Sequence, residues 1–283
     1  MDRVVGALLP LTLLATTLQP AAAQDNTSGD GTQTVAIPED QPRRESFSDT
    51  WSFLVGGGVI NQPRYPGSRI DFTRAVPAVS ASYDRYFFGG APGGGGGAPA
   101  GLGAYLVRTE HWAVGLDVGG DFRKPRRASD DPILHGWGDI PGTVRGGMFA
   151  SYSIEWLSIR GSVSDAGHHE GVIASLGAEA KLNPTPRLTV SFGPEVTWTN
   201  EQYAMTFFGI DAAQSEIAGI PPYRARAGVN MVGGEAGARY ALTRNWSLAA
   251  RVSYGRLQGD AANSPVTTDK TQRVIGAFLL YRF

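Results

Sequence analysis

Apolar and polar side chains alternate with a period of two along most of the chain after residue 50. In residues 187–199 one face carries Leu188, Val190, Phe192, Val196 and Trp198, and the other face is polar. The pattern recurs in further segments, cleanly in the first two and less cleanly in the rest: residues 157–165, 246–256, 112–122, 143–153 and 172–182. Alternation of this kind predicts β-strands with one apolar and one polar face.

The last strand and the tryptophans favour a membrane barrel over a soluble β-sandwich, which also alternates. The chain ends at an aromatic residue, and one face of its last strand holds Ile275, Ala277, Leu279, Tyr281 and Phe283. This ending resembles the C-terminal signature that the outer-membrane barrel-insertion machinery recognises. Tryptophans stand at the ends of predicted strands, as in the aromatic girdles of transmembrane barrels: Trp112, Trp156, Trp198 and Trp246.

Turn lengths give the number of strands. Short turns are predicted at residues 83–85, 108–111, 154–155, 183–186 and 242–245, and longer loops at 61–70, 89–100, 123–140, 200–224 and 258–271. Bacterial barrels have an even number of strands, with short periplasmic turns and long extracellular loops. Treating residues 86–88 as a separate short strand gives twelve strands and places every long loop outside. The predicted fold is therefore an all-β, antiparallel, up-and-down transmembrane β-barrel of twelve strands.

The amino terminus predicts export. Arg3, the apolar run at residues 4–18 and the small residues Ala21 to Ala23 match a signal peptide over residues 1–23, which is shorter than a membrane-spanning anchor. Residues 24–50 are polar and aperiodic, which predicts a flexible periplasmic lead-in to a barrel over residues 51–283. The expected location is the outer membrane of a Gram-negative bacterium. With no cysteine, an exported chain has no disulfides to stabilise it.

The charged residues limit the kinds of partner that are expected, and some of them line the predicted lumen. The 25 basic and 26 acidic residues nearly cancel, so nucleic acid is not an expected partner. Alternation turns a mixed set of charges inward: Asp117, Asp121, Arg145, Arg160, Glu179, Lys181, Glu195, Arg251 and Arg282. Such a set could form a charge-selective eyelet or a network of paired charges that fills a narrow lumen. The balance of signs and the intermediate diameter of twelve strands favour the network.

The loop after Thr199 is predicted to contain a short helix. Asp211 is a good N-cap, Gln214 stands at the reciprocal capping-box position, and Gly219 can end the helix. This helix could fold into the barrel mouth as a constriction or lie over it as a cap. The sequence leaves these two arrangements open.

The sequence shows no convincing catalytic or metal-binding group, so we predict a non-enzymatic protein without a cofactor. His168 and His169 are adjacent and would point to opposite faces, so with Glu170 they are interpreted as a solvated turn. Asp130, Asp131 and His135 are the only candidates for a protease site at the rim, and they too are interpreted as solvated charges. His111 has no obvious serine partner for a phospholipase site.

Seven short stretches carry a family resemblance. They are YPGS at 65–68, DRYFF at 84–88, GWGDI at 136–140, FFGI at 207–210, GIPPY at 219–223, LQGDAANSP at 257–265 and YRF at 281–283. Together they make the chain resemble the MipA/OmpV family of outer-membrane proteins, whose name records interaction with a lytic transglycosylase (MltA). Residues 89–100 look like an insertion into what is usually a tight hairpin.

The resemblance implies a role as well as a fold. It implies a scaffold that brings a lytic transglycosylase together with a penicillin-binding protein in a peptidoglycan-processing complex. Other members are described as adhesins or porin-like proteins, so the alternative is a barrel for transport or surface binding. The expected partners are outer-membrane lipid, lipopolysaccharide and the barrel-insertion machinery, with the two peptidoglycan enzymes as family-derived candidates.

Overall fold

Twelve antiparallel strands close into one barrel in the computed structural model, which describes residues 48–89, 101–120, 126–167 and 170–283. Each strand pairs with its neighbours in sequence, and the last strand returns to pair with the first. The fold class and the strand number are confirmed, including the separate short third strand. The strands are β1 (Ser48–Pro63), β2 (Asp71–Asp84), β3 (Tyr86–Phe88), β4 (Gly101–Arg108), β5 (Trp112–Gly120), β6 (Val144–Ser153), β7 (Leu157–Asp165), β8 (Val172–Thr185), β9 (Leu188–Thr199), β10 (Gly228–Ala241), β11 (Trp246–Leu257) and β12 (Thr271–Arg282).

The two ends of the barrel differ in the length of their connections. At the short-turn end, β8 and β9 are joined by only residues 186–187, because β8 runs through most of the predicted turn. The long-loop end carries α1 (Glu201–Phe208), α2 (Ala212–Ala218), α3 (Gly259–Asn263) and a 3-10 turn at Pro132–Leu134. In bacterial barrels the short turns are periplasmic and the long loops extracellular.

No helix in the described ranges is both long enough and apolar enough to cross a bilayer.

The outer surface of the strands is apolar. Large side chains that a soluble protein would bury are exposed around the barrel. Eight of them are 44–62% exposed: Val59, Leu102, Leu116, Met148, Leu176, Phe192, Val232 and Ile275. Aromatic side chains border this band at the short-turn end, where the Trp51 ring stacks on Tyr83 at 4.9 Å and the Trp246 ring meets Tyr281 at 5.0 Å. A continuous apolar belt edged by aromatics is the surface that a barrel presents to lipid.

Part of the barrel interior is filled by apolar side chains. One cluster lies on β12, β1 and β2 and their neighbour β11, and contains Leu54, Ile60, Ala78, Ala249, Val274, Phe278 and Leu280. A second cluster joins the rings of Phe87, Tyr105 and Phe149, with centroids 5.3–6.0 Å apart. Gly103 and Gly115 make room for it, because a Cβ on either would overlap the ring of Phe87 or Phe149.

We predict that Gly103→Ala destabilises the barrel by about 1–3 kcal/mol, the usual range for overpacking a filled interior. The added methyl group must displace the Phe87 ring, and the Leu116 carbonyl blocks the other side. Gly146→Ala in β6 is the matched control, because a Cβ there meets nothing within 4 Å. Urea unfolding in lipid vesicles, followed by tryptophan fluorescence, measures both. Equal midpoints for the two variants would contradict the role of Gly103.

Candidate functional site

A cluster of buried ion pairs lies on the lumen side of β7, β8, β10 and β11. Arg160 on β7 contacts Glu179 on β8, and its Nη2 donates to Glu235 Oε1 on β10 at 2.9 Å. Arg251 on β11 contacts the same Glu235 oxygen. These four side chains are between 3% and 8% exposed. Two guanidinium groups are therefore held between carboxylates in the barrel interior.

Two further predicted lumen residues interact with this cluster, and a third lies farther down the barrel. Glu195 on β9 lies close enough to Glu235 and Arg160 to interact with both charges. Lys181 shares the lumen face of β8 with Glu179 and interacts with it electrostatically. Arg282 lies lower, towards the short-turn end, where its guanidinium interacts electrostatically with Arg239.

The remaining predicted charges lie apart from the cluster. Arg145 on β6 donates to Glu170 of the β7–β8 loop at 2.8 Å. Asp117 on β5 faces Gly147 of β6, where a Cβ would stand 2.7 Å from its Oδ1. Asp121 lies outside the described residues.

Sequence reasoning missed two carboxylates that complete these pairs. Glu235 shares its parity in β10 with Arg239, opposite Val232 and Tyr240, so the alternation that revealed the other lumen charges could have revealed it. Glu170 was assigned to a solvated turn, and this interpretation was wrong: its side chain is 2% exposed and pairs with Arg145. Because Glu170 lies in a loop that folds back under the barrel rim, the alternation of polar and apolar residues could not reveal its partner. His168 and His169 are outside the described residues.

The four predicted insertion residues are on or near the lipid-facing surface of the last strand. Ile275, Leu279 and Phe283 are 54%, 43% and 70% exposed. The Tyr281 ring is edge-on to Phe283 at 4.9 Å. Phe283 also donates its backbone N–H to the Phe53 carbonyl at 3.1 Å, which extends the closure of the barrel by one residue.

Helix α1 sits in the mouth of the barrel at the long-loop end. Its Tyr203 and Phe208 are completely buried and Phe207 is 2% exposed. They pack with the inward-facing Ile173 of β8 and Leu257 of β11. Asn200 caps this helix by accepting from the Tyr203 N–H at 2.9 Å. The predicted helix is α2, which is confirmed with its capping box and has no buried residue. Of the two helices in this loop, α1 is therefore the one that packs into the barrel mouth.

Three of the other long loops pack together with the loop that carries α1 and α2. Tyr65, Leu134, Trp137, Ile210 and Val266 form one apolar cluster drawn from four loops. Side chain to backbone hydrogen bonds tie the loops together: Ser264 Oγ donates to the Phe208 carbonyl at 2.6 Å, and Tyr223 Oη donates to the Asp260 carbonyl at 2.8 Å. Because buried apolar contacts and hydrogen bonds act together here, the described loops form one folded layer across the mouth.

A buried arginine anchors this layer. Arg126 is 2% exposed, donates to the Phe207 carbonyl at 3.0 Å and lies 5.8 Å from the Trp137 ring. Burial lowers its pKa to about 10, so the guanidinium still carries its charge at neutral pH. Asp130 and Asp131 belong to the same layer and are 8% and 4% exposed, so their interpretation as solvated charges was wrong.

The two aspartates have structural roles. Asp131 accepts from the Ile133 N–H at 3.1 Å and caps the 3-10 turn. Asp130 accepts from the Arg127 N–H at 2.7 Å. In the described residues, no three histidine or acidic side chains are grouped to hold a metal ion.

We predict that Arg160→Met destabilises the barrel by about 3–5 kcal/mol, because it leaves Glu179 with a buried negative charge that has lost its ion-pair partner, whereas Glu235 keeps Arg251. The double variant Arg160→Met/Glu179→Gln should recover part of this loss. Arg187→Met, in an exposed short turn, is the control and should change stability by less than about 0.5 kcal/mol. Urea titration in vesicles measures all three. A single variant as stable as the control would contradict a stabilising network.

Replacing residues 200–227 with a short Gly-Ser turn should open the mouth, because it removes α1 and its buried aromatic side chains. Planar-bilayer recordings should then show conductance steps that the unmodified protein lacks. The control Ile217→Ser changes an exposed residue of α2 and keeps α1 in place, so it should stay closed. Steps of equal size from the unmodified barrel would show that the layer does not seal the mouth.

A family model described as "MltA-interacting protein MipA" matches residues 55–283. No curated protein sequence matches the chain. Among solved structures, the outer-membrane OmpT of Vibrio cholerae is 10% identical, with a TM-score of 0.40 over 83% of this chain and 97% of that one. A NanC porin is 8% identical, with a TM-score of 0.42 over 81% of this chain and 98% of that one. The channel DcaP of Acinetobacter baumannii is 8% identical, with a TM-score of 0.38 over 83% and 96%.

The assignment rests on the family match, which starts inside β1 and continues to the last residue. It covers all twelve strands and the loops that close the mouth. The lipid-facing belt and the closed sheet agree with it. The chain is an outer-membrane β-barrel and belongs to the family of MltA-interacting protein MipA.

Proposed function

We propose that this barrel is a non-enzymatic scaffold that holds a lytic transglycosylase and a penicillin-binding protein at the inner face of the outer membrane. The observation that carries the proposal is the folded layer across the mouth, where α1 and the described loops pack together at the long-loop end. A barrel closed in this way is poorly suited to continuous diffusion of solutes and well suited to serve as a rigid anchor. The family's name supports the choice of a lytic transglycosylase as partner.

The short turns form the proposed docking face. They place exposed charges of both signs on a rim held by the barrel sheet: Arg85, Glu110, Glu155, Arg187 and Arg244. A mixed rim of this kind favours selective contacts with a partner of complementary charge pattern. Rim charges set the rate and the specificity of association more than its total strength, so further contacts are needed.

The amino-terminal segment is the proposed source of those contacts. We propose that residues 1–23 are a signal peptide and that residues 24–50 are a periplasmic tether. Flexible-chain scaling gives such a tether a reach of roughly 25–30 Å. We also propose that Ile275, Leu279, Tyr281 and Phe283 are recognised by the barrel-insertion machinery before the barrel closes.

Site-specific photocross-linking tests the scaffold. A photoreactive residue at Glu155 or Arg187, both exposed in short turns, should capture a lytic transglycosylase or a penicillin-binding protein from intact cells. The same residue at Glu216, exposed on α2 at the opposite end, is the matched control and should capture neither enzyme. Mass spectrometry of the cross-linked products identifies the partners.

One result would overturn the proposal, and a deletion experiment would locate the contacts with the partner. Recovery of insertion and lipopolysaccharide-transport factors alone, from every position, would overturn the scaffold. Deletion of residues 24–49 separates the two proposed contact regions: loss of capture at Glu155 assigns the main binding energy to the tether, and unchanged capture assigns it to the turns.

A further inference from the structure

A cleft of about 410 Å³ opens between the start of β10 and the β11–β12 loop, at the long-loop end. Its lining includes Thr199, Arg226, Gly228, Asn230 and Asp260. The cleft lies outside the ion-pair cluster and takes no part in the proposed scaffold. Its volume falls within the range of about 300–1,000 Å³ that is common for small-ligand sites.

A buried polar group in the cleft lacks a partner. Asn230 is 5% exposed, and its Oδ1 finds no hydrogen-bond partner in the described parts of the chain. A buried amide oxygen without a partner costs about 1–3 kcal/mol, which a donor from a bound molecule can recover. Gly228 lines the same cleft in strand geometry, and a Cβ there would meet nothing within 4 Å. The cleft thus combines free space with an unsatisfied acceptor.

The polar residues around this acceptor define the chemistry of a ligand. Arg226 is exposed at the cleft and offers a guanidinium group that suits an anionic substituent. Its backbone N–H donates to Asp260 Oδ2 at 2.9 Å, which fixes the Asp260 carboxylate beside it. Asn230 and Asp260 accept hydrogen bonds, and Arg226 donates them. A sugar with several hydroxyl groups and one acidic group meets all three requirements.

The height of the cleft indicates where such a sugar would come from. Val229 lines the cleft and pairs in register with Trp198, whose ring is 41% exposed on the outer surface. Tyr254 of β11 is 56% exposed on the same surface and pairs with Arg273 of β12. Aromatic side chains at strand ends mark the boundary between the hydrocarbon core and the headgroups. At the long-loop end, that boundary is the headgroup layer of the outer leaflet, which consists of lipopolysaccharide sugars and phosphates.

Two exposed arginines extend the positive surface along this boundary. Arg256 and Arg273 lie on adjacent strands, β11 and β12, and both side chains are exposed. Arg273 approaches Asp71 at 3.7 Å, a distance that leaves most of its guanidinium available to a second anion. Arginine binds phosphate groups through paired hydrogen bonds.

We propose that the cleft binds an acidic sugar of lipopolysaccharide, with sugar hydroxyl groups on Asn230 and Asp260 and the acidic group on Arg226. The lipid A phosphates of the same molecule then contact Arg256 and Arg273. The barrel is thereby fixed in the outer leaflet through one defined side, β10 to β12, in addition to its lipid-facing belt.

Binding to the refolded full barrel in detergent tests the site. The probe is lipid A that carries two 3-deoxy-octulosonic acid residues, and it is compared with lipid A alone and with the free acid sugar. The sugar-bearing lipid should bind at least tenfold more tightly than either comparison probe. Gly228→Leu, which fills the cleft, and Asn230→Ala, which removes the acceptor, should each weaken its binding tenfold or more.

The control variant is Gly146→Leu, which places the same side chain in equally open space on β6, away from the cleft. It should bind the probe as the unmodified barrel does, and heat-modifiable gel mobility confirms that each variant is folded. Unchanged binding by both cleft variants would overturn the proposal. Equal affinity for lipid A alone would show that only phosphate is recognised, and equal affinity for the free sugar would replace lipopolysaccharide with a soluble saccharide. Each of these results leaves the scaffold proposal standing.

Discussion

The closure of β1 against β12 is the contact on which the rest of this structure depends. A bilayer core offers no water to an unpaired backbone N–H or C=O, so a sheet can cross it only if both edges are joined. Here the joint runs from Leu54 opposite Arg282 to Asn61 opposite Ile275. Once it forms, side-chain direction is fixed along every strand, because successive residues must face lipid and lumen in turn.

Closure of the barrel creates an interior that must be filled or hydrated. This barrel fills much of it with two kinds of side chain, apolar on one wall and charged on another. Glycines admit the rings of Phe87 and Phe149 on one wall, whereas Arg160, Glu179, Glu235 and Arg251 occupy another. Apolar packing gains stability from each contact. A buried ion pair contributes little net stability even when both partners are present. Removing one partner is strongly destabilising, because it leaves an unpaired buried charge. The wall formed by these four charged side chains therefore strongly favours one register of the strands that carry them. A slip of one residue in the strand pairing would turn the charges towards lipid.

The alternation of apolar and polar residues predicted the strands, the last strand and the tryptophans indicated a membrane barrel, and the turn lengths gave its strand number. The alternation is a reliable signal in the strands because each strand of a membrane barrel must face lipid on one side and the lumen on the other, whatever its further contacts. It failed in the loops, where folding depends on contacts between distant segments. Nothing local distinguishes a solvated Asp131 from one that caps a buried 3-10 turn, or a solvated Glu170 from one that pairs with Arg145. The helix α2 was predictable because its capping box is local, and α1 was missed although Asn200 is an ordinary N-cap.

The closed mouth and the rigid wall together constrain what the two ends of the barrel can do. Since Arg126 and the aromatic side chains of α1 tie the described loops into one folded layer, a ligand at the long-loop end meets that layer before it meets the lumen. A partner at the short turns meets a surface whose shape is fixed by the sheet above it. Contacts at one end therefore have little means of changing the other, unless they alter the ion pairs between them. This independence is useful in an anchor: the barrel can be fixed in the outer leaflet by one set of residues and hold periplasmic partners by another.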